Sequence, residues 1–105
     1  MSISTHVLDS VAGRPAAGIA VRLLVGEDVL ADGVTDRDGR CLLTGDATAA
    51  GTHRLVFATG PWFAEQERAA FYPEVVLTFA VVEPAEHHHV PLLLAPFAYS
   101  TYRGS

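Results

Sequence analysis

Apolar side chains recur at every second position along most of this sequence. That spacing puts them on one face of an extended strand and leaves the other face polar. Ile19, Val21, Leu23 and Val25 alternate in this way, as do Leu55 and Phe57 within 52–59, and Val75, Leu77, Phe79 and Val81. A strand is expected over Ile3 to Asp9, closed by Gly13-Arg14-Pro15. The strand through Val25 ends at Gly26-Glu27-Asp28, and a short one follows around Val29 to Ala31. Thr35-Asp36-Arg37-Asp38-Gly39 is a turn by its chemistry, because Asp caps backbone amides and Gly accepts positive φ, so a new strand should run from Arg40 to Leu43. Asp46 to Gly51 reads as a small polar loop. Pro61 suits the first residue of one short helix carrying Trp62, Phe63, Ala69 and Ala70 on one side. Pro84 breaks the strand before it, and two more are expected, about His87 to Leu94 and Ala98 to Arg103. Seven or eight short strands with one helix predict an antiparallel β-sandwich.

A chain of 105 residues supports one domain, 1–105. Seven basic residues against twelve acidic ones give a net charge of −5, and no Lys/Arg cluster offers the footprint that nucleic acid requires. The longest apolar stretch, Val90 to Ala98, is interrupted by Pro91 and Pro96, so no membrane span is expected. The lone Cys41 closes no intramolecular disulfide and the first residues already alternate, which together point to a soluble cytoplasmic protein. Half the residues are hydrophobic, more than so small an interior hides, so some should lie between subunits.

Three of the five histidines are consecutive, His87-His88-His89, at the start of an expected strand. Alternation places His87 and His89 on one face and His88 on the other. A metal site needs three or four convergent ligands and this pair supplies two, so no metal is expected; the histidines otherwise read as edge residues without a role. Arg40 leaves a fixed turn and could hold a planar anionic group or a developing oxyanion, or sit in a surface ion pair. Cys41 reads as a small buried apolar residue. The ending Tyr99-Ser100-Thr101-Tyr102-Arg103-Gly104-Ser105 is aromatic and abuts an apolar strand, so it should be ordered, with the Ser105 hydroxyl and a terminal carboxylate held at a defined point.

Three segments carry a likeness along nearly the whole chain: His6-Val7-Leu8-Asp9 with Gly13-Arg14-Pro15-Ala16, Asp38-Gly39-Arg40-Cys41, and His89-Val90-Pro91-Leu92-Leu93-Leu94 through Tyr102-Arg103-Gly104-Ser105. Phe71-Tyr72-Pro73-Glu74-Val75 agrees with it. In these the sequence resembles the 5-hydroxyisourate hydrolases, the transthyretin-related proteins. The resemblance implies a transthyretin-like (prealbumin-like) sandwich of two four-stranded antiparallel sheets with one short helix. It also implies a homotetramer with sites at the subunit interface around a central channel. The implied reaction is hydrolysis of a ring amide of 5-hydroxyisourate in urate degradation, without a cofactor. By the same resemblance the catalytic set falls on His6, Arg40, His89 and Ser105, with His6, Arg40 and Tyr102 contacting substrate. Where the family usually has Tyr between its two motif histidines this chain has His88, on the opposite face, where an effect on packing is expected. A transthyretin-like channel that holds a small ligand without turning it over, or a structural β-sandwich, remains the alternative; a pure carrier would not require two histidines, an arginine and a fixed chain end together.

Overall fold

The computed structural model describes residues 2–43 and 49–105. Among these described residues, nine strands and one helix follow in the order β1 (Ile3–Asp9), β2 (Arg14–Pro15), β3 (Ala20–Val25), β4 (Asp28–Val34), β5 (Arg40–Leu43), β6 (Gly51–Phe57), α1 (Thr59–Glu65), β7 (Val75–Val81), β8 (His88–Ala95) and β9 (Ala98–Thr101). One sheet has the order β4-β3-β6-β7. The other runs β2-β1-β8-β9, with β5 also paired to β1. Because β2 meets Leu8 and Asp9 while β5 meets Ile3 to His6, the two share one edge of β1, and the second sheet is four strands wide although it contains five.

Alternation decides which faces meet. Ile3 and Val7 of β1, Val21 and Leu23 of β3, Leu55 and Phe57 of β6, and Leu92 and Leu94 of β8 are all buried in one core between the sheets. Each such side chain stabilises the fold by roughly 1.5–3 kcal/mol when fully buried. The hydroxyl of Thr5, buried among them, donates to the Val90 carbonyl at 2.7 Å, so its polarity is satisfied.

The expectation of purely antiparallel sheets needs one correction. β1 and β8 run parallel, from Ile3 opposite His88 to Asp9 opposite Leu94. Parallel neighbours require a long crossover, and here most of the chain supplies it. The strands expected at Ile3 to Asp9 and Arg40 to Leu43 have those bounds. The one at Val29 to Ala31 is longer, and β9 stops at Thr101 instead of Arg103. Of the loop expected over Asp46 to Gly51, Asp46 to Thr48 lie outside the described residues, and Gly51 already begins β6.

The helix starts two residues before Pro61 and ends at Glu65, short of Ala70. Pro61 is tolerated in the first turn because the N–H it lacks would have no intrahelical partner there. Glu67 then turns the chain with φ 56°, and Arg68 clasps the helix to the sheet. Its guanidinium donates to the Asp9 carboxylate at 2.7 Å and lies 4.9 Å from the centre of the Phe63 ring. Among the described residues no helix is long and apolar enough to cross a membrane.

Candidate active site

The site is built on the face of the β1 sheet that points away from the core. With the odd-numbered residues of β1 buried, Ser4, His6 and Leu8 face outward. His6 lies directly opposite Arg40 of β5, and Ser4 lies beside His89 of β8. Three adjacent strands thus bring a guanidinium and two imidazoles to one surface.

Arg40 owes its position to the turn before it. The Asp36 carboxylate accepts from the backbone N–H of Asp38 and of Arg40, both at 2.9 Å, and the Gly39 N–H donates to the Asp36 carbonyl. Gly39 has φ 77°, and a Cβ there would collide with the Val7 carbonyl. The Val7 N–H also donates to the Gly39 carbonyl at 2.7 Å, so the turn is pinned to β1. Only glycine fits this approach at this φ. The backbone bond from Arg40, with smaller contributions from Asp38 and the charges of Arg40 and His6, holds the Asp36 carboxyl below its usual value.

Ser105 reaches the same surface through Gly104, whose N–H donates to the His89 carbonyl at 2.9 Å in an isolated antiparallel bridge. An open cavity of about 270 Å³ is lined by Ser4, Arg40, Leu42, His87, His89 and Ser105, among others. Within it the His89 imidazole is held below its ordinary value, first by partial burial and then by the charges of His87, His6 and Arg40. A group so placed stays neutral at neutral pH and can accept a proton.

Of the residues singled out from sequence, Arg40, His89 and Ser105 line this cavity, and His6 stands beside it on the same face, paired with Arg40. Tyr102 does not join them: it is exposed and lines a second cavity of about 490 Å³ with Phe79, His88 and Thr101, which touches the first only across His89. β9 ends at Thr101, just before the position opposite Pro91, which has no N–H to donate, and the chain then continues in the same register to the bridge of Gly104 with His89. His88 is buried on the opposite face, with Nδ1 3.0 Å from the Glu86 carbonyl. Cys41 is buried, and burial raises its thiol's pKa. Sequence reasoning missed Ser4, although its place two residues before His6 on an alternating strand was the available signal. Among the described residues, no three His, Cys, Asp or Glu side chains are grouped to hold a metal.

The sequence model described as the HIUase/Transthyretin family matches residues 3–104. The chain belongs to this family. A 5-hydroxyisourate hydrolase of Caulobacter vibrioides is 45% identical over 112 residues, covering 98% of this chain and 97% of the relative. The 5-hydroxyisourate hydrolase of Mus musculus is 40% identical, covering 98% and 94%. Among solved structures of the family, Klebsiella pneumoniae 5-hydroxyisourate hydrolase superposes with a TM-score of 0.92 at 37% identity over the whole of both chains. Sea bream transthyretin in complex with thyroxine superposes at 0.86 and 29%, covering 97% of this chain and 93% of that one. The two-sheet fold is therefore shared with both a 5-hydroxyisourate hydrolase and a transthyretin.

Proposed function

We propose that this protein hydrolyses 5-hydroxyisourate to 2-oxo-4-hydroxy-4-carboxy-5-ureidoimidazoline in urate degradation. The observation that carries the reading is the cross-strand pairing of His6 with Arg40, beside His89 and Ser105, on a solvent-facing sheet surface. Relatives named for this activity, 40–45% identical over nearly the whole chain, support it.

Opening a ring amide requires an activated water, stabilisation of charge on the attacked carbonyl, and a proton for the leaving nitrogen. His6 and His89 divide base and acid roles, each worth about a hundred- to ten-thousand-fold in rate. Arg40 holds the substrate's polar edge and stabilises the developing oxyanion, a contribution of about 3 kcal/mol where water is scarce. Ser105 orients water or a histidine, and Tyr102 offers a ring and hydroxyl to the heterocycle from the adjoining cavity.

The assembly proposed is a homotetramer with sites at subunit interfaces, supported by large apolar side chains left exposed in one chain, among them Phe71, Phe97 and Leu42 beside the site. A reducing, cytoplasmic setting suits a chain whose one cysteine is unpaired. The test is ultraviolet absorbance during urate oxidation by uricase: with this protein present, the 5-hydroxyisourate signal should decay faster, and Arg40→Ala should abolish the acceleration. A folded wild-type protein that leaves the decay unchanged would instead indicate a small-molecule carrier.

A further inference from the structure

The polar residues around His89 extend beyond the set that the proposed reaction uses. Ser4 Oγ lies 2.8 Å from His89 Nδ1 and 3.0 Å from His87 Nε2, and the other nitrogen of His87 meets the Ser2 hydroxyl. The two imidazoles are nearly parallel, at 15° with centroids 6.4 Å apart. Both nitrogens of His87 are thus engaged, whereas His89 is held, among the described residues, by Nδ1 alone. Its Cδ2 edge packs against Gly104. His87 itself is exposed, so the chain Ser2, His87, Ser4, His89 runs from solvent to the half-buried ring.

We propose that Ser4 is a positioning residue that sets which nitrogen of His89 carries the proton and connects that ring through His87 to solvent. The inference rests on the reaction proposed above. A serine hydroxyl has one hydrogen, so between two imidazoles it donates to one and accepts from the other. The chain therefore has two polarities. In the first, His89 Nδ1–H donates to Ser4, Ser4 to His87 Nε2, and His87 Nδ1–H to Ser2; His89 Nε2 is then a bare base. In the second every bond is reversed, and Nε2–H is a proton donor.

Conversion of the first to the second begins when Nε2 takes a proton from water. The Nδ1 proton moves to Ser4, the Ser4 proton to His87 Nε2, the His87 Nδ1 proton to Ser2, and the Ser2 proton to solvent. One proton enters and one leaves, and His89 ends neutral. This removes the need to keep an imidazolium in a partly buried position near Arg40, His6 and His87, where its charge is disfavoured. A neutral donor is then ready for the leaving nitrogen, and the reverse relay restores the base.

The experiment compares Ser4→Ala, Ser4→Thr and His87→Phe by steady-state kinetics and by ¹⁵N NMR of the histidine rings. Removing a partner that orients a working histidine should lower kcat of Ser4→Ala by about 10- to 100-fold. KM should stay within about threefold, and Ser4→Thr should recover kcat to about the same margin. His87→Phe keeps a flat ring without nitrogens, and adding it to Ser4→Ala should cause no further loss. Equal activity of the Ala and Thr variants, or losses that multiply in the double variant, would overturn the proposal. The NMR readout is independent of substrate: Ser4→Ala and His87→Phe should each change the tautomer ratio of His89. Unchanged His89 nitrogen shifts in both would overturn it even if the wild type is active. Shifts that change in a wild type inactive on 5-hydroxyisourate would sink the reaction and leave the relay standing.

Discussion

Replacing Gly104 by Ala should separate the catalytic arrangement from the stability of the fold. A Cβ at this position would lie inside the contact radius of the His89 ring, 3.1 Å from its Cγ, and 3.2 Å from Pro91 Cγ. Carbon atoms settle at about 3.5–4.0 Å, and Pro91 sits on a paired strand, so either the imidazole or residues 104–105 must move by on the order of 1 Å. A displacement of that size at a reacting group costs about 100-fold in rate. The stability cost is small by comparison. The single hydrogen bond from Gly104 N–H to the His89 carbonyl contributes about 1 kcal/mol, and alanine offsets part of it by restricting the unfolded chain by about 0.4–1 kcal/mol. We expect kcat/KM, measured by decay of uricase-generated 5-hydroxyisourate, to fall by about 100-fold. Tm at fixed protein concentration should move by only about 5 °C or less. Wild-type kcat/KM in Gly104→Ala would refute the geometric reasoning, and a collapse of Tm would show that the bridge belongs to the fold.

Other outcomes follow from the same physics. Burial raises the Asp9 pKa, but the bonds from Arg68 and from the Ala12 and Val11 amides outweigh it and hold the carboxyl below its usual value. The stability this confers is present above the unfolded carboxylate's pKa and is lost as pH falls through the lower folded one. Arg68→Ala should therefore cost about 2–3 kcal/mol at pH 7 in urea unfolding, less than a fully buried pair because Arg68 is partly exposed, and the deficit should shrink in acid. A pH-independent deficit would place the effect in packing over Phe63. Gly39→Ala should destabilise by more than about 1 kcal/mol, since it meets both positive φ and the Val7 carbonyl, and should reduce activity by shifting Arg40; unfolding and turnover measured together check this. NMR titration of the His89 ring should give a midpoint below the ordinary 6.5, and a midpoint at or above it would contradict the charge arrangement.

What sequence made legible was local. The period of β1 and the Asp36 to Gly39 turn carry their own signals, so the bounds of β1 and β5 and the outward placement of His6 and Arg40 followed from them. The parallel pairing of β1 with β8 has no local signature, because it joins segments about eighty residues apart. The early end of α1 depends on Glu67 adopting positive φ, which a glutamate does not advertise. Ser4 was visible as a residue on the right face, but a serine on a strand has no chemistry until its neighbours across the sheet are known. Tyr102 was placed by likeness alone, and its side chain lines the other cavity.

The parallel register of β1 with β8 also bears on synthesis. Ser4 meets His89 across 85 positions, so the groups of the site come from segments far apart in the sequence. Until β8 has been synthesised, β1 can pair only with β2 and β5, so His6 can meet Arg40 while Ser4 still lacks His89. Closing so long a loop is entropically costly and slow, and contacts of this range dominate folding time. The nascent chain thus carries at most the His6–Arg40 part of the site, and only the arrival of β8 brings His89 to it.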